Sequence, residues 1–369
     1  MSDARFMSLA LSMGRRGLGR TWPNPSVGCV IVSDNHIIGR GTTADGGVPH
    51  AEVIALAQAG PKARGATAYV TLEPCAHTGK CPPCTEALIK SGIARVVAAI
   101  GDDDHRVNGN GFRALKAAGI EVVTGVMADE AFRDHKGFFL RISQNRPLVS
   151  LKIATSFDGR IATASGQSKW ITDDPARRLV HLMRSRHDAV MVGGGTARLD
   201  DPSLNVRSLG IEHQTVRVVV SRHLNLPNDS ILARTARQAP LWLCHGAEAK
   251  SSQIQKWQDI GAKLIICEDN HGLLDLNEMM ARLASLGLTR VFCEGGASLA
   301  ASLIKSDLVD ELIGFGAGVL IGEEGQSSIG GLGVDDLAMA QRWSLEGVRT
   351  VGPDIFHKWS RKRLGQSKE

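Results

Sequence analysis

Residues 67–84 read TAYVTLEPCAHTGKCPPC, and this stretch decides how the first part of the chain folds. The apolar start, TAYVTL, is typical of a buried strand, and Glu73-Pro74-Cys75 follows where that strand ends. Residues 85–90, directly after Cys84, have the pattern of a short helix that ends near Gly92. The stretch therefore predicts a strand and a helix of one α/β layer, with thiols at the end of the strand and the start of the helix.

A histidine and an acidic residue upstream complete a constellation with these cysteines. His50 and Glu52 open a second predicted helix, residues 51–59. One imidazole and two thiolates give Zn²⁺ three protein ligands and leave the fourth tetrahedral position for water, as in catalytic zinc sites. H-x-E followed by P-C and a second Cys is the pattern of zinc deaminases, in which the glutamate binds no metal and moves protons. The pattern predicts a catalytic zinc site with Glu52 as general acid and base.

The cysteine spacing leaves a second interpretation open. Cys81 and Cys84 form a CxxC pair, which is common in structural zinc sites. His50, Cys75, Cys81 and Cys84 could then close the coordination shell, and the protein would be a structural-zinc binding module with no position for water. That alternative gives Glu52 no role.

Helix-like and strand-like segments alternate on both sides of this stretch, which is typical of α/β proteins. The polar residues 143–147 end in Pro147, and a new strand pattern, LVSLKIATS, begins a second alternating series. At roughly 100 to 200 residues per domain, a chain of 369 residues suits two domains. We predict a first domain at residues 1–146 and a second at residues 147–369.

Composition excludes several classes of protein. With 43 Lys plus Arg against 38 Asp plus Glu, the net charge of +5 is too diffuse to indicate a nucleic-acid partner, and 4% aromatic residues offer no base-stacking surface. No run approaches the ~18 uncharged apolar residues of a membrane span, and the first residues lack a signal-peptide pattern. We expect a cytoplasmic protein that binds neither membranes nor nucleic acid.

Three runs in the first part, TWPNPSVGCVIV, HAEV and LEPCAHTGKCPPC, resemble the deaminase domain of the bifunctional riboflavin-biosynthesis deaminase/reductases. The resemblance implies a cytidine-deaminase-like three-layer α/β/α domain. Because that family usually has Thr where Cys81 stands, it also implies that His50, Cys75 and Cys84 are the zinc ligands. Asn24 would hydrogen-bond the substrate in the pocket, although a turn former between two prolines remains the alternative.

Four runs in the second part, ATSFDGRIAT, GQSKWIT, MVGGGTARLDDPSLNVR and FCEGGASLAASLI, resemble in the same order the motifs of the family's reductase domain. The implied fold is an α/β domain of the dihydrofolate-reductase type. The residues implied to line the nicotinamide cofactor are Ala154, Trp170, Thr196, Asp200, Ser221, Gly296, Ala297, Ser298, Leu299, Ala300, Ala301 and Ser302. Those implied to hold the substrate are Ser168, Arg184, Leu204, Arg207 and Glu294, with Lys152 and Asp200 as candidates for positioning or proton supply.

The family resemblance implies a two-step function in riboflavin biosynthesis. Zinc, one ion per chain, would serve hydrolytic deamination of 2,5-diamino-6-(5-phosphoribosylamino)pyrimidin-4-one, and NADPH would then reduce the ribosyl chain to ribityl. No single arginine in the sequence marks a pocket for a 2′-phosphate, so NADPH rather than NADH rests on the resemblance. We expect a small-molecule substrate and a homo-oligomer. The alternative enzyme is a zinc deaminase of tRNA or free nucleobase with an accessory domain.

Overall fold

The computed structural model describes residues 3–79, 81–104, 107–270 and 272–361. Contacts divide the chain into two compact units, Met1–Pro147 with Leu286–Thr289, and Leu148–Ser285 with Arg290–Glu369. The boundary predicted after residue 146 lies beside this division. No pattern in the sequence indicates that the short segment Leu286–Thr289 belongs with the first unit.

The first unit is built on a five-stranded sheet of order β2-β1-β3-β4-β5. Strands β3, β4 and β5 are parallel to one another, and β1 is antiparallel to β2 and to β3. In chain order its elements are α1 (Asp3–Gly14), β1 (Gly28–Ser33), β2 (His36–Thr42), α2 (Ala51–Ala59), β3 (Thr67–Val70), α3 (Cys84–Lys90), β4 (Arg95–Ala98), α4 (Asn110–Ala117), β5 (Glu121–Thr124) and α5 (Ala128–Gln144).

Successive residues of the central strands supply two separate cores, because side chains alternate between the faces of a sheet. On β1, Cys29 and Ile31 pack into the core under α2, α3 and α4, whereas Val30 and Val32 pack with α1. On β3, Ala68 and Val70 face the first core and Tyr69 the second, and α5 contributes to both. The first unit therefore has the predicted three layers, α/β/α.

The second unit is built on a nine-stranded sheet of order β11-β10-β9-β8-β14-β6-β15-β18-β17. Neighbours from β11 to β15 are parallel, and the hairpin β17–β18 is antiparallel at one edge. In chain order its elements are β6 (Leu148–Thr155), β7 (Arg160–Ala162), α6 (Asp174–Arg184), β8 (Ala189–Gly193), α7 (Gly194–Asp200), β9 (Val216–Val220), α8 (Ile231–Arg234), β10 (Leu241–His245), α9 (Ser251–Ile260), β11 (Lys263–Ile266), β12 (Asp269–Asn270), β13 (Leu273–Leu274), α10 (Leu276–Ser285), β14 (Arg290–Cys293), α11 (Ala297–Lys305), β15 (Glu311–Gly316), β16 (Gln326–Ser327), β17 (Trp343–Val351) and β18 (Asp354–Arg361).

Buried apolar side chains cover both faces of this sheet. Val190 and Val192 of β8 pack with α8 and with the buried Trp257 of α9, while Phe292 of β14 packs with α6. Parallel strands covered on both faces are typical of α/β proteins, as the sequence predicts. Within the described part of the chain, no helix has both the length and the hydropathy that a membrane crossing requires.

Candidate metal centre and ligand cleft

Two glycines of β2 set the position of α2, which has Glu52 in its first turn and follows directly after His50. A Cβ atom at Gly41 would lie 2.0 Å from the carbonyl oxygen of Ala51, and one at Gly39 would lie 2.2 Å from that of Ala55. Only glycine allows the helix backbone to approach the strand this closely. His50 is the residue that precedes the first turn of α2.

The structure brings His50, Cys75 and Cys84 together. His50 Nδ1 lies 3.2 Å from Cys84 Sγ and 3.6 Å from Cys75 Sγ, and the three ligand atoms all lie within 4.8 Å of one another. Tetrahedral angles with ordinary Zn–N and Zn–S bond lengths place a nitrogen and a sulfur ligand about 3.6 Å apart. The donor set and its spacing therefore fit one zinc ion.

The electrostatics of the two cysteines favour a thiolate at this centre. The Cys84 thiol, the His50 ring and the Cys84 backbone N–H, 3.4 Å away, all stabilise negative charge on Cys75 Sγ. They lower the pKa of Cys75 to about 4, although burial alone would raise it. The pKa of Cys84 is raised while the neighbouring thiolate holds the charge, and a metal cation would remove this competition between the two sulfurs.

Glu52 lies on the first turn of α2, buried at 4% exposure beside the three ligand atoms. Burial and then the negative charge of Cys75 raise the pKa of Glu52 to about 7. A carboxyl group with a pKa near neutrality can both accept and return a proton, which is what general acid and base catalysis requires.

Cys81 lies outside the group of ligand atoms that come together in the described residues. It is half-buried, and its carbonyl oxygen accepts a hydrogen bond from the Gly79 N–H at 3.2 Å. This arrangement supports an open three-ligand site over a closed four-ligand one. Asn24 donates from its side-chain amide to the Gly47 carbonyl at 3.0 Å, so it ties a turn to the loop before His50. Its contact with substrate stays a prediction.

Glu73 has a structural role that the sequence did not reveal. It is 4% exposed, and its carboxylate accepts hydrogen bonds from the backbone N–H groups of Asp102, Gly109 and Phe112 at 3.0 to 3.3 Å. These bonds fasten the start of α4 to the segment that carries Cys75. The sequence signal that could have indicated this role is an acidic residue at the end of a strand, two positions before Cys75.

A cleft of about 1440 Å³ opens in the second unit where its parallel strands end. Most of the residues implied by resemblance line it: Ala154, Ser168, Trp170, Arg184, Thr196, Asp200, Leu204, Arg207, Glu294, Gly296, Ala297, Ser298, Leu299, Ala300 and Ser302. Two do not line it. Ala301 faces the core, and Ser221 lies behind Gly194, because successive residues of α11 and of the β9 end point in different directions.

A charged cluster occupies the middle of the cleft. Arg184 donates from Nη2 to Glu294 Oε2 at 3.0 Å and from Nε to Oε1, and from Nη1 to the Asn205 carbonyl at 2.9 Å. Burial would raise the pKa of Glu294, but the charges of Arg184 and Lys152 outweigh it and hold that pKa at about 2. Burial lowers the pKa of Lys152, which makes its ammonium a better proton donor.

The turn between β14 and α11 depends on two glycines. Gly295 has φ of +78° and Gly296 of +24°, which side chains rarely adopt, and Gly295 accepts a hydrogen bond from the Gly193 N–H at 2.9 Å. On the opposite wall, Ser168 Oγ donates to Asp200 Oδ1 at 3.3 Å, and the Arg177 guanidinium lies 4.6 Å from the centre of the Trp170 ring.

Three arginines that line the cleft were missed in the sequence: Arg177 on α6, Arg198 on α7 and Arg222, two residues after β9. Arg198 and Arg222 follow the end of a parallel strand by a few residues, and a basic residue at such a position is the signal that could have indicated them. Lys169 also lines the cleft.

Comparisons with known proteins agree with both halves of the chain. The family model described as "Cytidine and deoxycytidylate deaminase zinc-binding region" matches residues 1–100, and "RibD C-terminal domain" matches residues 147–357. The riboflavin biosynthesis protein RibD of Escherichia coli (strain K12) is 40% identical over 365 residues, 96% of this chain and 98% of that protein.

Solved structures match nearly the whole chain as well. An Acinetobacter baumannii RibD is 38% identical, with a TM-score of 0.88 over 98% of this chain and 99% of that one. A diaminohydroxyphosphoribosylaminopyrimidine deaminase/5-amino-6-(5-phosphoribosylamino)uracil reductase from Thermotoga maritima is 32% identical, with a TM-score of 0.86 over 97% and 98% of the two chains.

Proposed function

The chain belongs to the RibD family of bifunctional riboflavin-biosynthesis deaminase/reductases, and on that premise we propose which unit carries each reaction and which residues act in it. The deaminase domain of this family binds zinc and the reductase domain uses NADPH. We assign deamination to residues 1–146 and reduction to residues 147–369. This assignment rests on one observation: the structure brings together His50, Cys75, Cys84 and the buried Glu52.

In the first unit, His50, Cys75 and Cys84 would hold the zinc ion, which when bound would make water nucleophilic near neutral pH. Glu52 takes a proton from the attacking water and delivers it to the exocyclic nitrogen. The new C–O bond replaces the C–N bond of the ring carbon, and ammonia leaves. The substrate is 2,5-diamino-6-(5-phosphoribosylamino)pyrimidin-4-one, and the side-chain amide of Asn24 binds its ring.

In the second unit, NADPH held in the cleft would supply the hydride chemistry for reduction at the carbonyl carbon of the opened ribose. Lys152 delivers a proton to the carbonyl oxygen, which completes a ribityl chain. Glu294 keeps the ammonium of Lys152 in place, and Arg184 in turn holds Glu294 through two hydrogen bonds. The cofactor would lie against the strand end at Ala154, the helix start at Thr196, Trp170, Asp200 and the segment from Gly296 to Ser302. Ala301 and Ser221 support these walls from behind.

Arg207 is the better candidate for the substrate phosphate of the two arginines implied by resemblance. It is exposed and donates one hydrogen bond, to Ser203 Oγ at 3.2 Å, whereas the donors of Arg184 already meet Glu294 and Asn205. A guanidinium has five N–H donors, so Arg207 can add two parallel bonds to phosphate oxygens. Ser168 and Leu204 form the remaining substrate contacts.

We further propose a homo-oligomer in the cytoplasm that acts on a small molecule and not on nucleic acid. β17 lies at the edge of the nine-stranded sheet, with Leu345 and Val348 at 52% and 62% exposure, and an edge strand of this kind pairs readily with another chain. The seven cysteines are free thiols, as in reducing compartments. Light scattering tests the assembly, and a mass of 39.4 kDa in solution would contradict it.

One assay tests the two activities separately. The purified chain is given the diaminopyrimidine substrate, and ammonia release is followed without NADPH; NADPH oxidation is then followed on the deaminated product. We expect both signals, and removal of zinc with a chelator should abolish the first and spare the second. Ammonia release that survives complete loss of zinc would contradict the proposed deaminase site.

A further inference from the structure

One histidine that lines the cleft has no part in the proposed reduction. His181 lies on α6, three residues before Arg184, and residues three apart share one face of a helix. Its side chain is almost wholly buried, at 7% exposure, and its Nδ1 atom has no hydrogen-bond partner among the described residues. Folded proteins rarely leave a buried polar atom unpaired, so this imidazole is a candidate for a contact with the ligand of the cleft.

The His181 ring is uncharged at neutral pH. Burial, and then the positive charges of Arg184 and Arg207, lower the pKa of His181 to about 4. Glu294 and the Asn205 carbonyl act in the opposite direction and do not outweigh them. A neutral imidazole has one N–H and one nitrogen with a free lone pair, so His181 brings a hydrogen-bond acceptor to this wall of the cleft.

The polar groups around His181 are donors or already hold a partner. Arg184 and Arg207 have only N–H groups to offer. Both carboxylate oxygens of Glu294 accept from Arg184, and Asp200 Oδ1 accepts from Ser168 Oγ. His181 therefore offers a ligand hydroxyl an acceptor that is not already engaged.

The position of His181 indicates which part of the substrate it meets. In the proposed function Lys152 acts at the reacting carbon, C1′ of the opened ribose, and Arg207 binds the phosphate at C5′. His181 lies close enough to Glu294, the partner of Lys152, and to Arg207 for both charges to shift its pKa. It thus lies between the two ends of the substrate chain, where the opened ribose has hydroxyl groups at C2′, C3′ and C4′.

We propose that the imidazole of His181 accepts a hydrogen bond from one hydroxyl of the substrate's sugar chain, and so makes the reductase select a hydroxylated chain over a deoxy one. This inference rests on the proposed function of the cleft. The bond fixes the middle of the chain while Arg207 holds its phosphate end, which orients C1′ toward Lys152. His181 is thus a specificity-determining residue for the pyrimidine substrate and not for the cofactor.

The first test compares two substitutions of His181 by steady-state kinetics on deaminated substrate. His181→Leu removes the acceptor and should raise the KM for the pyrimidine roughly three- to tenfold, the loss of one neutral hydrogen bond, with the KM for NADPH unchanged. His181→Gln keeps an acceptor in its amide oxygen and should recover most of the affinity. Arg178→Gln is the matched control, because Arg178 is exposed on the same helix and does not line the cleft.

The second test identifies the hydroxyl by calorimetry with the ribityl product and three analogues that lack its 2′, 3′ or 4′ hydroxyl. The product should bind His181→Leu more weakly than the wild-type chain. One analogue should bind both proteins equally, because the bond is then already missing. The analogue that removes the difference identifies the hydroxyl that His181 binds.

Three results would overturn the inference. Equal weakening of the product and all three analogues in His181→Leu would make His181 a support of the cleft wall. A difference that disappears only with the dephosphorylated product would move the contact to the phosphate. A raised KM for NADPH with an unchanged KM for the pyrimidine would move it to the cofactor. Failure of the wild-type chain to oxidise NADPH would instead remove the proposed reductase function, so the two failures are distinguishable.

Discussion

At the scale of single residues, identical side chains acquire different roles from their surroundings. Cys81 and Cys84 are three positions apart, but Cys84 is fully buried at the start of α3 and its N–H points at Cys75 Sγ, whereas Cys81 lies in the loop before the helix. Helix N-termini favour thiolate over thiol. We therefore expect the start of α3, more than the CxxC spacing, to decide which thiol binds the metal.

Serine substitutions at the two positions separate these roles. Cys84→Ser should lose zinc and deamination together, because a hydroxyl is a far weaker zinc ligand than a thiolate. Cys81→Ser should keep about one zinc per chain and near-normal ammonia release. Elemental analysis of the purified variants gives the metal content. The reverse pattern would establish a closed site that includes Cys81.

Arg207 tests the phosphate contact at the other site. Arg207→Ala should raise the KM for the pyrimidine roughly ten- to a hundredfold and leave the KM for NADPH unchanged, because the charge-assisted contact with phosphate is lost. Arg184→Ala is the informative comparison. It removes the ion-pair partner of the buried Glu294, so it should also lower the free energy of unfolding, measured by urea denaturation, by about 3 to 5 kcal/mol. A raised KM for NADPH in Arg207→Ala would place that residue on the cofactor.

The candidate zinc site could be predicted from residue identity and spacing, because His50, Glu52, Cys75 and Cys84 follow a pattern that the chemistry requires. Pairs of residues that meet only through the tertiary fold could not be predicted in this way. Arg184 and Glu294 are 110 positions apart, and Glu73 bonds backbone N–H groups 29 to 39 positions later. No local pattern encodes such pairs, because the sheet order alone brings them together.

At the scale of elements, local patterns predict those segments that bury one face or both. The helix at residues 51–59 and the strand LVSLKIATS were predicted close to their observed bounds, because their apolar spacing reflects burial. The hairpin β17–β18 was not predicted. Most of β17 is exposed or half-buried, so its residues lack the alternation that marks a strand with one buried face.

The contact between β2 and α2 yields a prediction for a whole element. Gly41→Ala should displace α2, since the added Cβ would lie 2.0 Å from the Ala51 carbonyl, and overpacking of this kind costs about 1 to 3 kcal/mol or more. Because α2 carries His50 and Glu52, zinc content and ammonia release should fall together. Gly101→Ala is the control, as its nearest contact would be an ordinary 3.6 Å. Full deaminase activity in Gly41→Ala would show that α2 tolerates the shift.

At the scale of the whole molecule, each proposed site is built from residues of one unit. His50, Glu52, Cys75 and Cys84 belong to the first, and the cleft from Lys152 to Ser328 belongs to the second. The boundary between the two predicted domains was placed at a polar stretch that ends in Pro147, because linkers are polar and interrupt the alternation of strand and helix patterns. Contacts show that Leu286–Thr289 departs from this simple division, which only the fold reveals.

This separation predicts that the two activities can be inactivated one at a time. Glu52→Gln in the full chain should keep zinc, because Glu52 is not among the ligand atoms, yet lose about 10² to 10⁴ in deamination rate, since the amide cannot accept the proton. NADPH oxidation on already deaminated substrate should be unchanged, because substitutions at distant sites with no shared partners act independently. Zinc analysis, ammonia release and NADPH absorbance, measured on one preparation, check the three statements. Loss of NADPH oxidation in this variant, with its zinc retained, would mean that the Glu52 carboxylate serves both reactions, and the assignment of one reaction to each unit would have to be abandoned.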